Sequence, residues 1–352
     1  MFQKAITAVT AAVLCALLCS CSPKAPSARE TGIKNFKNTQ KKLNELLLRN
    51  DLSKETRYAV VNRIANNMLS VKDYTNLIVF LTEWAEDHPD DPYNAYWLLM
   101  TAYAYLENDA EPIAEYYFER ITNNYSDLKI QGKSIHFLCL QHLIQISKSS
   151  ANKISYFNQL ISRFPNNVSI TELYYRLAIE YENEGEWNQA IRTYTLFLDQ
   201  DDASTIQIAG VPNAYLKAKQ LIDFNNSSKD WTFESLDALV TAVKRAISNY
   251  NYKALDRYKS KVNFFAMSWR QDETDTNAQE NFSMRSFMRG NRIRYSAELD
   301  STSSPTEAYL RTTGWSNYVN VWYLYFRKVN FPADPEIHGR WEWAGIYFGE
   351  KL

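Results

Sequence analysis

Residues Thr171 to Asp202, TELYYRLAIEYENEGEWNQAIRTYTLFLDQDD, constrain the fold of this chain more than any other stretch. Tyr174, Leu177, Ala178 and Tyr181 recur at steps of three and four, which puts them on one face of a helix. Gly185 interrupts the pattern just before Trp187, and Ala190, Tyr194 and Phe197 then form a second apolar face. Two helices joined by so short a turn bury those faces against each other. Small Ala178 and Ala190 sit where the backbones must approach closely. The stretch predicts an antiparallel helix pair.

The same stripes recur upstream. Val61, Ile64, Ala65 and Met68, followed by Leu77, Leu81 and Trp84, make a first pair that ends at Pro89. Tyr96, Leu99, Met100 and Tyr103 with Ala114, Phe118 and Ile121 make a second, and Ile135, Leu138 and Cys139 with Phe157, Leu160 and Ile161 a third. Equivalent ends at Pro89, Ser126, Pro165 and Asp202 lie 37 to 39 residues apart. This pattern resembles the tetratricopeptide (TPR) repeat, a helix pair of about 34 residues, here elongated. The resemblance implies an α-solenoid over residues 35–226, with enough units to bury a continuous core. It implies work as a protein–protein interaction scaffold. It also implies a groove lined by first-helix positions, carried over onto Asn62, Asn66, Trp97, Thr101, Tyr105, Tyr175, Ile179, Glu182 and Asn183. An exposed Trp97 and Tyr105 would anchor a peptide or partner helix. The alternative for these positions is packing against the C-terminal domain or the N-terminal helices.

The N-terminus addresses the chain. Lys4 precedes an apolar run, Ala5 to Leu18, too short to span a bilayer as a mature helix. It ends in Leu18-Cys19-Ser20-Cys21, similar to a bacterial lipobox. That likeness implies a signal peptide over residues 1–20, a diacylated Cys21, and a flexible tether to residue 34. Cleavage of an ordinary secretory signal near Ser20 is the alternative. Acyl chains contribute about 0.8 kcal/mol per buried CH₂, so such an anchor holds stably. Ser22, by resemblance to enterobacterial sorting, implies the outer membrane, with the body facing the periplasm. On this reading only Cys139 of the four cysteines remains unmodified, which excludes an intramolecular disulfide. Lipobox and repeats together look like bacterial TPR lipoproteins, a class that includes assembly factors for outer-membrane β-barrels and partners of periplasmic binding proteins. The expected partner is another envelope protein or peptide segment, with the membrane engaged through lipid.

Asn225-Asn226-Ser227-Ser228 marks the predicted domain boundary. Beyond it, Ser235 to Asn249 and Tyr252 to Ser260 read as helices. Strand-like runs follow at residues 262–269, 292–299, 308–315, 318–330 and 340–348. The fold class expected is therefore mainly α, a helical solenoid followed by an α+β domain over 227–352, whose antiparallel sheet carries helices on one face. The order of elements and the string AVKRAISNYNYKALDRYKSKVNFF faintly resemble nuclear-transport-factor-2-like domains. Trp315, Trp322, Trp341 and Trp343 are either core or the lining of a pocket. The pocket would make the chain a binder of small hydrophobic ligands, the rival to the scaffold reading.

Little else carries chemistry. A net charge of −1, with both signs mixed along the chain, gives no electrostatic case for nucleic acid. His136, Cys139 and His142 have a metal-like spacing, but on a helix they spread around the axis, so a structural role is expected. Asp272, Glu273 and Asp275 lack the glycine and terminal glutamate of a calcium loop. No nucleophile, zinc-protease or phosphate-loop motif is present, and His338 has no visible catalytic partner. Neither enzymatic activity nor a cofactor is expected.

Overall fold

The computed structural model describes residues 29–49, 51–271 and 283–351, with side chains from residue 38 onward. The expected signal peptide, Cys21 and the acidic loop 272–280 lie outside the described residues. Helix α1 (Arg29–Leu47) starts inside the expected tether, so residues 29–34 are helical. No helix among the described residues is long and apolar enough to cross a membrane. The chain divides into two compact units, Met1–Leu173 and Tyr174–Leu352. The division falls inside helix α8 (Ile170–Asn183), and the polar run 225–228 lies within the second unit.

The first unit is a succession of helices, each packed on the next: α1, α2 (Lys54–Ser70), α3 (Tyr74–Asp87), α4 (Asn94–Glu107), α5 (Glu111–Asn124), α6 (Ile135–Ile146) and α7 (Ser150–Arg163). Their starts are written locally. The side chains of Ser53, Asp73, Ser134 and Ser149 accept from backbone N–H groups of the first turns of α2, α3, α6 and α7. Between α5 and α6 runs a small hairpin, β1 (Lys129–Ile130) and β2 (Lys133–Ser134). Gln131 and Gly132, both at positive φ, form its turn, as a two-residue hairpin requires. Helix α4 is the centre of the unit. Every residue from Asn94 to Ala102 is buried, so this helix is covered on all sides instead of presenting one stripe.

In the second unit, Tyr175 and Ala178 of α8 pack with Tyr194 and Phe197 of α9 (Trp187–Leu198) and with Ala214 and Ala218 of α10 (Ala214–Asn226). Ala178 and Ala190 are both wholly buried, as the close approach of a helix pair demands. Helices α11 (Leu236–Ser248), α12 (Tyr252–Tyr258) and α13 (Met284–Met288) accompany a sheet of strands β3 (Phe265–Ser268), β4 (Arg294–Tyr295), β5 (Glu307–Thr313), β6 (Val321–Lys328) and β7 (Trp341–Phe348). The strand order is β3-β7-β6-β5-β4.

The sheet corrects the expectation of a purely antiparallel arrangement. β3 runs parallel to β7, with Phe265 opposite Gly345, while the remaining pairs are antiparallel. Period-two alternation fixes which face a side chain takes, not the direction of the neighbouring strand. Both faces of the central strands are buried. On one, Leu239, Val243 and Ile247 of α11 cluster with Leu310, Leu324, Phe326 and Trp343. On the other, Phe265, Met267, Tyr325 and Ala344 form an aromatic layer with Tyr309 and Tyr347. Trp269 stacks on Tyr347 at 4.3 Å and 9°, extending that layer. Gly345 is dictated by this packing, since a Cβ there would lie 2.6 Å from the Phe265 ring.

Candidate functional site

The turn from α3 into α4, His88-Pro89-Asp90-Asp91-Pro92-Tyr93, builds a cleft in the first unit. Two prolines fix its course, and Asp91 holds it. The Asp91 carboxylate accepts from the indole N–H of Trp84 at 2.8 Å and of Trp97 at 3.1 Å, and from the backbone N–H of Tyr93 at 2.9 Å. Asn94 donates back to the carbonyl of His88 at 2.7 Å. His88 stacks on Trp84 with ring centroids 3.9 Å apart, and Tyr58 of α2 lies 4.2 Å from Tyr93. Burial, then the neighbouring Tyr93, raises the Tyr58 pKa. The cleft encloses about 340 Å³, with Tyr58, Trp84 and Tyr93 as its aromatic lining and Lys54, Arg57, Asp87 and Asp90 supplying charges of both signs. The Nε of Arg57 is buried and has no hydrogen-bond acceptor. Asp91 receives three donors and so serves to hold the turn.

The residues carried over from the repeat pattern fall elsewhere. Trp97 and Thr101 are completely buried and Tyr175 is 3% exposed, so these three are core and do not line a groove. Trp97 fails as an anchor because α2 lies over it, with the Tyr58 ring 5.4 Å away. Thr101 turns its hydroxyl back onto the carbonyl of Trp97. Tyr175 sits between Tyr194 and Phe197. Half-buried Asn62 and Asn66 bond to each other, and Tyr96 reaches the Asn62 side chain at 3.4 Å. Half-buried Tyr105 stacks on Tyr117. Ile179 packs in the α8–α10 cluster, Glu182 acts on Tyr175 and Tyr194, and exposed Asn183 bonds to Glu180. Asn62 to Tyr105 belong to the first unit, and Tyr175 to Asn183 to the second.

The four tryptophans proposed as a pocket lining are buried in the helix-facing core of the second unit. Trp315 and Trp322 stack on each other at 5.0 Å, and the indole N–H groups of Trp315, Trp322 and Trp343 are taken by Thr312, Val319 and Gly345. Their ring faces are used on protein. His338 is exposed, and its Nδ1 accepts from the backbone N–H of Phe331.

On α6, His136 and His142 are engaged separately. The Arg163 guanidinium bonds to His136 Nδ1, which makes that nitrogen an acceptor and the ring neutral. Burial first, and then Arg163, lowers its pKa. His142 lies flat on Phe118 at 5.0 Å and 2°, and burial pulls its pKa down to about 4. Among the described residues no group of three or more His, Cys, Asp and Glu is placed to hold a metal.

The cleft was missed because family positions direct attention to helix faces, whereas the site is a turn. Its signal was present as an Asp between two prolines, flanked by Trp84, Tyr93 and Trp97. A scan against protein-family models finds no match, and a search of curated proteins finds none of significance.

Proposed function

We propose that this protein is a lipid-anchored envelope scaffold of the TPR lipoprotein kind, and that it binds a segment of another envelope protein in the cleft at the α3–α4 turn. The lipobox-like Leu18-Cys19-Ser20-Cys21 supports the anchor. The succession of helix pairs supports the scaffold. One observation carries the binding reading: an aromatic-lined cleft of about 340 Å³ that also carries the charged side chains of Lys54, Arg57, Asp87 and Asp90. Charged side chains at its lining can meet an incoming carbonyl or carboxylate with charge-assisted hydrogen bonds. Aromatic side chains beside them supply the apolar contact that anchors a peptide. The reading assigns no catalytic step.

The test is photo-crosslinking in the native envelope from a benzoyl-phenylalanine placed at Asp90, on the cleft, or at Thr75, an exposed position on α3. A discrete adduct from residue 90 that disappears in Arg57→Glu, with none from residue 75, is expected. Equal adducts from both positions, or an adduct indifferent to Arg57→Glu, would refute the cleft. Radiolabelled palmitate incorporation that persists in Cys21→Ala would refute the anchor.

A further inference from the structure

We infer that a second cleft, in the C-terminal unit between the turn joining α11 to α12 and helix α13, binds a phosphate-bearing ligand. It encloses about 480 Å³ and is lined by Tyr250, Tyr252, Arg285, Arg289 and Arg292, with no carboxylate among its described lining residues. The sequence concentrates the charge: from Met284 to Tyr295, MRSFMRGNRIRY contributes four arginines and no acid. The fold then aims it. Gly290, at φ +80°, turns the chain between Arg289 and Arg292. Asn291 pins that turn to the core by donating to the carbonyls of Phe287 at 2.9 Å and Trp315 at 2.7 Å. Arg285 rests over the Tyr252 ring, 5.6 Å from its centroid.

These guanidiniums are charged at any physiological pH, since an arginine side chain does not deprotonate in proteins. Among the described residues none of the three forms an ion pair. Asp256, which faces the start of α13, is already used by the backbone N–H of Met284 and by Lys259. The contrast with the sheet is informative, because Arg311 and Arg327 each have their own carboxylate, Glu350 and Glu342. Three positive charges without an ion-pair partner among the described residues, around one concavity, raise the local concentration of anions. A lone carboxylate would satisfy one of them. A phosphate group, with more charge and several acceptor oxygens, suits a cleft lined by three guanidinium groups. The volume exceeds what a single phosphate fills, and the two tyrosines offer ring faces to the group that carries it.

This inference stands apart from the cleft at the α3–α4 turn and fails or survives independently of it. The same chemistry is available from a soluble phosphoryl compound or from a lipid headgroup, so the experiment has two arms. The full chain in non-ionic detergent micelles is titrated with sodium pyrophosphate, and separately with micelles doped with phosphatidylglycerol. Saturable binding in at least one arm is expected, weakening as salt rises from about 50 to about 300 mM. The double variant Arg289→Ala/Arg292→Ala should weaken it by about tenfold or more, and Arg289→Lys/Arg292→Lys by an intermediate factor, because lysine keeps the charge but loses the fork. Arg270→Ala, outside the cleft, should bind as wild type. Response to pyrophosphate alone assigns a soluble ligand, and response to phosphatidylglycerol a headgroup. No binding in either arm, or a lysine or alanine double variant that binds as wild type, overturns the inference.

Discussion

His142 couples the stability of the helical unit to pH. Its ring is 8% exposed, lies flat on Phe118, and has its pKa lowered by burial from 6.5 to about 4. Between those two values the unfolded chain binds a proton at this position that the folded chain refuses. Stability is therefore fully present above about pH 6.5 and is lost as pH falls toward 4. The single ring accounts for about 2 kcal/mol of lost stability between pH 7.5 and pH 5. Replacing it by leucine, which fills a similar space and does not titrate, should remove that share. His136, also lowered by burial, contributes with the same sign and stays in both proteins. Peroxide oxidation of Met100 reads the unfolding of this unit, because Met100 is 1% exposed in α4 and oxidises only when its surroundings open. Urea series at pH 7.5 and pH 5, resolved by peptide mass spectrometry, give the two free energies for wild type and His142→Leu. Any cost of the leucine at pH 7.5 cancels in the comparison of slopes. If the variant loses as much stability on acidification as the wild type, the neutral buried imidazole is not the cause.

Two further substitutions probe packing. Asp91→Ala strands the indole N–H groups of Trp84 and Trp97, each left without its acceptor at about 1–3 kcal/mol. Asp91→Asn, which keeps an acceptor oxygen, should cost less; equal urea midpoints for the two variants would contradict this account. Gly345→Ala drives a methyl into the Phe265 ring and should cost about 1–3 kcal/mol. Adding Phe265→Leu should restore part of the lost melting temperature, and strict additivity of the two changes would argue against direct contact.

Helix pairs were legible because their stripes are strong and their ends carry serine and aspartate caps. Ser53, Ser134 and Ser149 mark starts that periodicity alone blurs. The two sheet strands richest in aromatics were legible as strands, since Trp341, Trp343 and the run at 319–323 alternate. What the pattern could not convey was environment. The stripe rule supposes that each helix keeps one wet face, and α4 keeps none from Asn94 to Ala102. Trp97 and Thr101 were therefore assigned to a surface that does not exist. The tryptophans of the sheet posed the reverse problem, because a residue in a dry core and a residue in an apolar pocket obey the same alternation. Both clefts are made by turns, where positive φ, proline placement and a single asparagine or aspartate decide the geometry. Those features are spread over too few residues to produce a periodic signal.

The parallel pairing of β3 with β7 has a consequence for the order of events during synthesis. Trp269, just beyond β3, and Gly349, just beyond β7, bond across 80 residues of chain. β7 is inserted between β3 and β6, so a ribosome that has released β3, β5 and β6 has released strands whose shared neighbour does not yet exist. Until residue 348 emerges, β6 has one unpaired edge and β3 has no partner in the sheet at all. Both are rows of unmatched backbone donors and acceptors of the kind that recruit foreign strands. Non-local pairing of this type is slow as well as late. The nascent C-terminal unit thus passes through a window in which β6, with its aromatic side chains, is present and has one open edge, and in which shielding by a chaperone has the most to offer.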